Sequence, residues 1–212
     1  YFTGYFDGTS DFDPGSGTYN LTAQNQADCF VAALNSNGNF AWAIRITGAF
    51  NQGLSIVTSP SGGLVVGGAF GGIINFGSET ITSNGGADVF IVKLTTGGII
   101  VWGKTVGSIG TDQDVSVALG PNNEVYATAS FAYPIDMDPG PGVEQFTPAG
   151  STDIFVLKLD ANGTFVWAKQ LGVKRVVYIS CDPGSLARDA QLLVQGGFAP
   201  QTLRVYDAFP QT

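Results

Sequence analysis

One pattern of apolar and polar positions occurs three times along the chain. Each copy begins with an Asp, continues as a run of mostly apolar residues, and carries a Trp 14 residues after the Asp. A side-chain period of two predicts a strand, and a continuous apolar run predicts that both faces of the strand are buried. The runs are residues 28–34, 88–94 and 153–159, and the aromatic residues are Trp42, Trp102 and Trp167.

A turn separates each apolar run from its Trp. The dipeptides Asn37-Gly38, Gly97-Gly98 and Asn162-Gly163 predict two-residue hairpin turns. Upstream strands are indicated at residues 63–68 and 124–128. A unit of about four strands that recurs after 60 and then 65 residues is typical of a β-propeller blade rather than of a sandwich. The sequence predicts a mainly β fold of about two and a half blades, an open arc, with copies around 1–48, 49–108 and 109–172.

Residues 1–172 resemble the seven-bladed β-propeller-type repeat of bacterial secreted and surface proteins. The resemblance is carried by Gly4-Tyr5-Phe6, by Asp11-Phe12-Asp13-Pro14-Gly15 and by the pattern from Asp28 to Trp42, which occurs twice more. It implies an exported, non-catalytic segment that binds a protein or glycan ligand or serves as a scaffold. An open arc leaves blade edges unpaired, so the resemblance also implies self-association through those open edges.

Acidic residues in the repeats are the candidate metal ligands. Pairs of carboxylates lie two residues apart beside a turn in two places, an arrangement that can bind Ca²⁺. The four residues are Asp11, Asp13, Asp136 and Asp138. The alternative is that Asp-Pro-Gly only forms a turn, and we favour it because Asn75-Phe76-Gly77 fits the repeat without a carboxylate. No other cofactor is expected for the repeats.

Two further sets of repeated residues have both a structural and a functional interpretation. An Asp at the start of each apolar strand could be a metal ligand, but such an Asp more often accepts hydrogen bonds from neighbouring backbone amides. A Trp in every copy could form a sugar-binding platform, but packing between repeats is the interpretation we favour. The aspartates are Asp28, Asp88 and Asp153.

The pattern changes after Gly172, where a segment of residues 173–212 begins. Residues 176–180 predict a buried strand, residues 185–195 a helix with one apolar face, and residues 203–206 a second strand. This β-α-β order is typical of an α/β fold with a parallel sheet. The charge changes too, because residues 1–173 carry 5 basic and 14 acidic side chains whereas residues 174–212 carry 4 and 3.

Residues 174–212 resemble the C-terminal part of the S-adenosylmethionine-dependent RNA uracil-5-methyltransferases, which modify 23S rRNA and tRNA. The matching stretches are residues 177–183, 186–189 and 207–212. The resemblance implies a short piece of a Rossmann-like methyltransferase fold. It also implies that Cys181 is the nucleophile that adds to C6 of uracil in RNA. Asp182 stands where the family usually has Asn.

The chemistry implied for Cys181 needs parts that this sequence lacks. A thiolate is a strong nucleophile, and a nearby helix N-terminus lowers the pKa of a thiol. In the family, however, a Gly-rich loop and an Asp-Pro-Pro motif precede the Cys, and a Glu that acts as base follows the Phe-Pro-Gln-Thr motif. None of these is present. We therefore expect no methyl transfer by this chain, although the resemblance implies S-adenosylmethionine as cofactor and RNA as partner.

Composition limits the remaining functions. The chain has no His, which removes His-dependent triads and His-ligated zinc sites. Its net charge of −8 argues against a chain-wide nucleic-acid interface. No apolar run is long enough to predict a membrane-spanning helix. Repeats of this type are exported, whereas RNA methylation is cytoplasmic. We therefore interpret the chain as a fragment or chimera whose main function is binding or scaffolding at the cell surface or outside the cell, with RNA methylation as the alternative.

Overall fold

The structure is a computed structural model that describes residues 1–24, 26–59, 62–77 and 79–171. The chain divides into two units, Tyr1–Gly172 and Val173–Thr212. The strands and helix predicted for the second unit lie outside the described residues. None of the described residues is helical, so no helix able to cross a membrane is found among them.

The strands form three successive groups, which we call repeats 1, 2 and 3. Repeat 1 contains β1 (Phe2–Phe6), β2 (Thr9–Asp11), β3 (Asn20–Thr22), β4 (Asp28–Leu34) and the first part of β5 (Phe40–Thr58). Repeat 2 contains the rest of β5, β6 (Leu64–Phe76), β7 (Glu79–Leu94) and β8 (Ile100–Val106). Repeat 3 contains β9 (Gln113–Leu119), β10 (Val125–Phe131), β11 (Ile135–Asp136), β12 (Gln145–Phe146), β13 (Asp153–Leu159) and β14 (Phe165–Leu171).

All strand pairings between these elements are antiparallel. One sheet has the order β1-β4-β5-β6-β7-β8, another has the order β14-β13-β10-β9, and β2–β3 and β11–β12 are separate hairpins. Residues 40–46 of β5 pair with β4, and residues 47–58 pair with β6. One continuous strand therefore crosses the predicted boundary between the first two copies at residues 48 and 49. The pairing of β5 with β6 shifts register between Gly48 and Phe50, which lets the strand bend there.

The central strand pairings have the same register in all three repeats. A Phe stands opposite the repeated Asp: Phe6 opposite Asp28, Phe70 opposite Asp88, and Phe131 opposite Asp153. The repeated Trp stands opposite the fifth residue after that Asp, and the register shifts one residue later: Ala33 opposite Trp42, Lys93 opposite Trp102, and Lys158 opposite Trp167. The sequence repeat is therefore also a structural repeat, including its irregularity.

The turns between the apolar strand and the Trp strand differ from the prediction. They are five-residue connections over residues 35–39, 95–99 and 160–164, so the predicted two-residue turns are wrong. In repeat 1 the Gly38 N–H donates to the Asn35 carbonyl, and the Asn35 N–H donates to the Asn39 carbonyl, both at 2.9 Å. The glycine has a φ of 79° and ends a tight turn in the left-handed region. Asn-Gly fits this longer loop as well as the shorter one.

The apolar core consists of two clusters, each between consecutive repeats. Alternate residues of β7 belong to different clusters: Phe90 and Val92 pack with residues of repeat 1, and Val89 and Ile91 pack with residues of repeat 3. All four side chains are buried. The prediction that this strand is covered on both faces is therefore confirmed. In repeat 3, β13 alternates between buried and more exposed positions instead.

The repeated Trp of one repeat contacts the turn of the next. Trp42 Nε1 donates to the Thr96 carbonyl at 2.9 Å, and Trp102 Nε1 donates to the Ala161 carbonyl at 3.3 Å. The turn glycine lies directly against the indole, because a Cβ on Gly98 or Gly163 would stand 2.9 Å from a ring carbon. We call this the Trp–turn contact. It confirms that these two tryptophans pack between repeats.

The Trp–turn contact predicts that Gly→Ala lowers the free energy of unfolding by different amounts at Gly38 and Gly98, although the two glycines have the same backbone conformation. Gly38 and Gly98 have φ values of 79° and 82°, but a Cβ on Gly38 would meet no atom within 4 Å. Gly38→Ala should lower the free energy of unfolding by about 1 kcal/mol through backbone strain alone. Gly98→Ala should lower it by about 1–3 kcal/mol more, because the methyl group collides with Trp42. Urea unfolding of both variants measures the difference, and equal losses would contradict the contact.

Candidate functional site

The predicted calcium ligands lie in two turns of matching geometry. In repeat 1, Asp11 Oδ1 accepts the backbone N–H of Asp13 at 3.0 Å and of Tyr19 at 2.8 Å. Asp13 Oδ1 accepts the N–H of Gly15 at 2.8 Å. The N–H groups of Tyr19 and Asp13 lower the pKa of Asp11 from its ordinary value. These carboxylates therefore bridge the turn to its own backbone.

The turn in repeat 3 repeats this arrangement. Asp136 Oδ1 accepts the N–H of Asp138 at 3.1 Å and of Glu144 at 2.8 Å, and Asp138 Oδ1 accepts the N–H of Gly140 at 2.7 Å. Across the residues that the structure describes, no group of three or more Asp, Glu, His or Cys is positioned to hold a metal ion. The hydrogen bonds fit the favoured turn interpretation, and Ca²⁺ binding stays a prediction.

The repeated Asp at the start of each apolar strand also bonds to the backbone. In every repeat its Oδ2 accepts the N–H of the residue four positions earlier, at 2.7–2.9 Å, and the three aspartates are buried. The pairs are Asp28 with Gln24, Asp88 with Asn84, and Asp153 with Ala149. The structural interpretation of these residues is therefore confirmed.

Side-chain donors complete this arrangement in repeats 1 and 3. Arg45 and Gln170 each donate to the carboxylate of the repeated Asp, and each also donates to the carbonyl six residues before that Asp. Arg45 Nη1 lies 3.4 Å from Asp28 Oδ2. The same register position in repeat 2, opposite Phe90, is occupied by Thr105. Its side chain is too short to replace Arg or Gln.

Asp88 is consequently an incompletely satisfied buried acid. Its side chain is 2% exposed, and Oδ1 has no hydrogen-bond partner among the described residues. Burial, together with the negative charge of Asp112, raises the pKa of Asp88 to about 6 against the opposing effect of the Asn84 N–H. Burial also raises the pKa of Asp112, whose carboxylate accepts the N–H and Oγ–H of Ser108. Sequence analysis missed the raised pKa values of Asp88 and Asp112. The signal for Asp88 was Thr105, which stands where the other two repeats have a long side-chain donor.

Two grooves open beside equivalent turns of repeats 2 and 3. The first has a volume of about 440 Å³, and its lining includes Ile44, Arg45, Asn75, Gly98 and Ile100. The second has a volume of about 350 Å³, and its lining includes Lys104, Asp138, Gly142, Gly163 and Phe165. Both combine polar and apolar groups.

Cys29 is the cysteine of the described region, and its surroundings make it chemically inert. The side chain is fully buried, with Sγ 3.7 Å from Thr3 Oγ1. Burial raises the pKa of this thiol to about 12, so the thiolate is absent near neutral pH. Cys181, the predicted nucleophile, lies outside the described residues.

The raised pKa of Asp88 predicts that the free energy of unfolding depends on pH. A new hydrogen-bond donor to Asp88 should weaken this dependence. Its folded pKa of about 6 lies above the ordinary value of 3.8, so the folded state binds the proton more tightly. This carboxyl contributes stability at low pH, and that contribution is lost as the pH rises through about 6, by roughly 3 kcal/mol. Thr105→Gln supplies the amide that Gln170 provides in repeat 3 and should lower the pKa of Asp88 and weaken the loss. Carboxyl ¹³C titration and urea unfolding from pH 4 to about pH 7 measure both effects.

Thr105→Met is the matched control, because Met has the length of Gln but no N–H donor. The pKa of Asp88 should stay near 6 in this variant. If both variants lower the pKa equally, side-chain length rather than hydrogen bonding is responsible, and the explanation is wrong.

Comparisons with known proteins concern only a short part of the chain. No family model matches it. A stretch of 46 residues is 48% identical to the 23S rRNA (uracil(1939)-C(5))-methyltransferase RlmD of Shewanella baltica strain OS155, covering 22% of this chain and 10% of that protein. A stretch of 66 residues is 41% identical to the protein of the same name in Shewanella sediminis, covering 30% and 15%.

The chain thus spans 10–15% of the length of the curated relatives it matches. This partial similarity supports the methyltransferase resemblance of the C-terminal segment. It gives no support to the propeller-repeat resemblance of residues 1–172.

Proposed function

We propose that residues 173–212 are a C-terminal piece of an S-adenosylmethionine-dependent RNA uracil-5-methyltransferase with Cys181 as its nucleophile. The observation that carries this proposal is the 48% identity to an rRNA uracil-C5-methyltransferase, over a stretch of 46 residues that is longer than this segment of about 40. Ser180-Cys181-Asp182-Pro183 supplies the reactive part of the motif. RNA is then the partner of this segment, and the cytoplasm is its compartment.

The chemistry proposed for Cys181 is addition to an activated double bond. The thiolate sulfur forms a bond to C6 of uracil, and the electron pair of the C5–C6 double bond moves toward the C4 carbonyl as an enolate. C5 thereby becomes nucleophilic and would take up the methyl group that S-adenosylmethionine supplies when bound, with the donor sulfur leaving as a neutral thioether. Removal of the C5 proton by a base later expels the thiolate and restores the double bond. Cys29 cannot take this role, because it is buried and its pKa is raised to about 12.

The described residues do not fit S-adenosylmethionine. The family binds this cofactor at a Gly-rich loop after a strand, and such a loop leads into a helix. The described part of the chain is built of strands and turns and contains no helix. Its glycine-rich stretch at residues 67–72 lies inside β6. We therefore expect this chain to transfer no methyl group by itself.

A second function concerns residues 1–172, for which we propose a non-catalytic β-propeller repeat segment that binds or scaffolds. The observation in its favour is that the central strand pairings have the same register in three repeats. Such a segment would act in a secreted or cell-surface protein on a protein or glycan ligand. The two proposals require different compartments, which supports the interpretation of the chain as a chimera or fragment.

Segment exchange tests the methyltransferase proposal. The stretch of the Shewanella baltica enzyme that matches this chain is replaced by the corresponding residues of this chain, up to Thr212. We expect the hybrid to methylate 23S rRNA with a labelled methyl donor. Cys181→Ser in the hybrid should lower the rate by at least about 10³-fold, because a hydroxyl is a far weaker nucleophile than a thiolate. The 212-residue chain should transfer no label.

A folded hybrid without activity would contradict the proposal. Circular dichroism and RNA binding of the hybrid distinguish this result from misfolding. Asp182→Asn restores the residue that the family usually has. This variant of the hybrid should be at least as active as the hybrid with Asp182.

Thiol reactivity separates the two cysteines of the chain. Iodoacetamide should alkylate Cys181 in the native protein and leave Cys29 unmodified near neutral pH, because Cys29 is buried with a pKa of about 12. Mass spectrometry of tryptic peptides measures both sites, and alkylation in urea shows that Cys29 reacts once it is exposed. Equal labelling of both cysteines under native conditions would overturn this assignment.

A further inference from the structure

Repeats 1 and 2 differ in charge at one position beside the repeated Asp. In repeat 1, Asp28 lies against the Arg45 guanidinium, with 3.4 Å between Oδ2 and Nη1. Thr105 occupies the corresponding register position in repeat 2 and carries no charge. The Asp88 carboxylate therefore lacks the cation that its counterpart in repeat 1 has.

A second difference adds a negative charge to repeat 2. The N–H of Asn51 donates to the Ala27 carbonyl at 3.2 Å, and the N–H of Asp112 donates to the Ala87 carbonyl at 2.6 Å. Each carbonyl belongs to the residue before a repeated Asp, so Asn51 and Asp112 are equivalent, and both are buried. Repeat 1 thus combines one Arg, one Asp and one Asn, whereas repeat 2 combines one Thr and two Asp. Compared with repeat 1, repeat 2 is two charges more negative here.

The two acids of repeat 2 meet at the backbone that follows β8. The Asp88 carboxylate lies against Gly107, where a Cβ would stand 2.0 Å from Cγ. Asp112 accepts the N–H of the next residue, Ser108, at 2.6 Å and its Oγ–H at 3.1 Å. The negative charge of Asp112 contributes to the raised pKa of Asp88, so the two carboxylates are close enough to repel each other. Among the described residues, neither forms an ion pair with Lys or Arg.

Asp112 takes the donor that the repeated Asp uses in repeat 1. There the N–H of Gly48 donates to Asp28 Oδ1 at 3.3 Å. Ser108 stands at the same place, six residues after the repeated Trp, and its N–H donates to Asp112 instead. Asp88 is 2% exposed, and its Oδ1 has no hydrogen-bond partner among the described residues. A buried anionic oxygen without a donor is a ligand that a bound cation would satisfy.

We propose that the Asp88 and Asp112 carboxylates bind one Ca²⁺ ion, which serves repeat 2 as the Arg45 guanidinium serves repeat 1. A divalent cation cancels the two charges by which the repeats differ. Ca²⁺ takes six to eight oxygen ligands in an adaptable geometry and accepts carbonyl, hydroxyl and water oxygens as well as carboxylates. Two acids can therefore form part of a calcium site without a third.

Further oxygen ligands are available beside the pair. Arg45 and Gln170 each donate to the carbonyl six residues before their repeated Asp, and the same position in repeat 2 is Thr82. The Thr82 carbonyl and the Thr105 hydroxyl are the candidate ligands on this side. Thr82 is exposed and Thr105 is half-buried, so solvent reaches them. Because only two ligands are charged, we expect a dissociation constant of about 10⁻⁴–10⁻³ M.

The ion would join two parts of the chain that are distant in sequence. Asp88 lies within β7 of repeat 2, and Asp112 lies immediately before β9 of repeat 3. Bound Ca²⁺ would therefore hold the connection over residues 107–112 against the sheet of repeat 2. It should also raise the midpoint of thermal unfolding, because it binds the folded state.

A Ca²⁺ titration of the full chain, followed by carboxyl ¹³C NMR, tests the proposal. At neutral pH and constant ionic strength, the Asp88 and Asp112 resonances should shift together and saturate with one dissociation constant. The midpoint of thermal unfolding should rise over the same range of concentration. Mg²⁺ should bind at least about tenfold more weakly, because it requires a compact octahedral set of ligands.

Two substitutions restore the arrangement of repeat 1. Thr105→Arg supplies a guanidinium at the position of Arg45, and Asp112→Asn removes the added charge. Each should weaken Ca²⁺ binding at Asp88 at least about tenfold. Asp112→Asn keeps nearly the same side-chain volume, so the test does not depend on whether the longer Arg is accommodated. Circular dichroism and urea unfolding check that both variants fold like the original chain.

The double variant Asp13→Asn, Asp138→Asn is the matched control. It changes the two acidic turns and leaves the Asp88–Asp112 pair intact. Each Asn keeps an Oδ1 that accepts the N–H of its turn, as the Asp does. The Ca²⁺-dependent shifts of the pair should be the same as in the original chain.

Three results would overturn the proposal. The resonances of the pair could stay in place up to about 10 mM Ca²⁺, as they would if the two carboxyls share a proton instead. Mg²⁺ and K⁺ could shift them as much as Ca²⁺ does, which would indicate screening rather than a site. The shifts could vanish in the double turn variant and persist in Asp112→Asn, which would place the ion at the acidic turns.

Discussion

Burial of sheet faces between neighbouring repeats is the constraint on which this architecture depends. An antiparallel sheet has two faces, and the strands of one repeat cover neither face by themselves. The middle strands β6 and β7 solve this by presenting one set of apolar residues to repeat 1 and the alternate set to repeat 3. The Trp–turn contact adds a directional element, because an indole N–H must meet one carbonyl and a ring must rest on a residue without Cβ. These contacts then determine the distance between the strands of consecutive repeats.

Buried acids show how the repeats diverge without losing this arrangement. The Asp at the strand start bonds to the same backbone N–H in every copy, whereas its side-chain donor is Arg in one repeat and Gln in another. Repeat 2 lacks that donor, and burial raises the pKa of its Asp88. The backbone bond is thus the common requirement, and the side-chain donor is interchangeable. This is the behaviour of a structural network rather than of a catalytic one.

Much of the strand layout could be predicted from the sequence, because periodicity reports which positions of a strand are buried. The apolar strands and the packing of Trp42 and Trp102 follow from repeated residues at constant spacing. The turn length was missed, since Asn-Gly satisfies two loop geometries. The unsatisfied acid Asp88 was missed because the short residue that fails to bond it, Thr105, lies on a neighbouring strand and is distant in sequence. Cys181 rests on motif resemblance and partial identity, because its chemistry depends on parts of a fold that a short segment does not contain.

The continuity of β5 has a consequence for cooperativity. Its 19 residues are hydrogen-bonded to β4 at one end and to β6 at the other, so loss of either partner exposes backbone in both repeats. Repeats 2 and 3 are connected through residues 107–112, which belong to no strand. Local unfolding follows such covalent and hydrogen-bonded continuity. Repeats 1 and 2 are therefore expected to open together because they share a strand, whereas repeat 3 is joined to repeat 2 by the shared apolar cluster and the Trp102 contact instead.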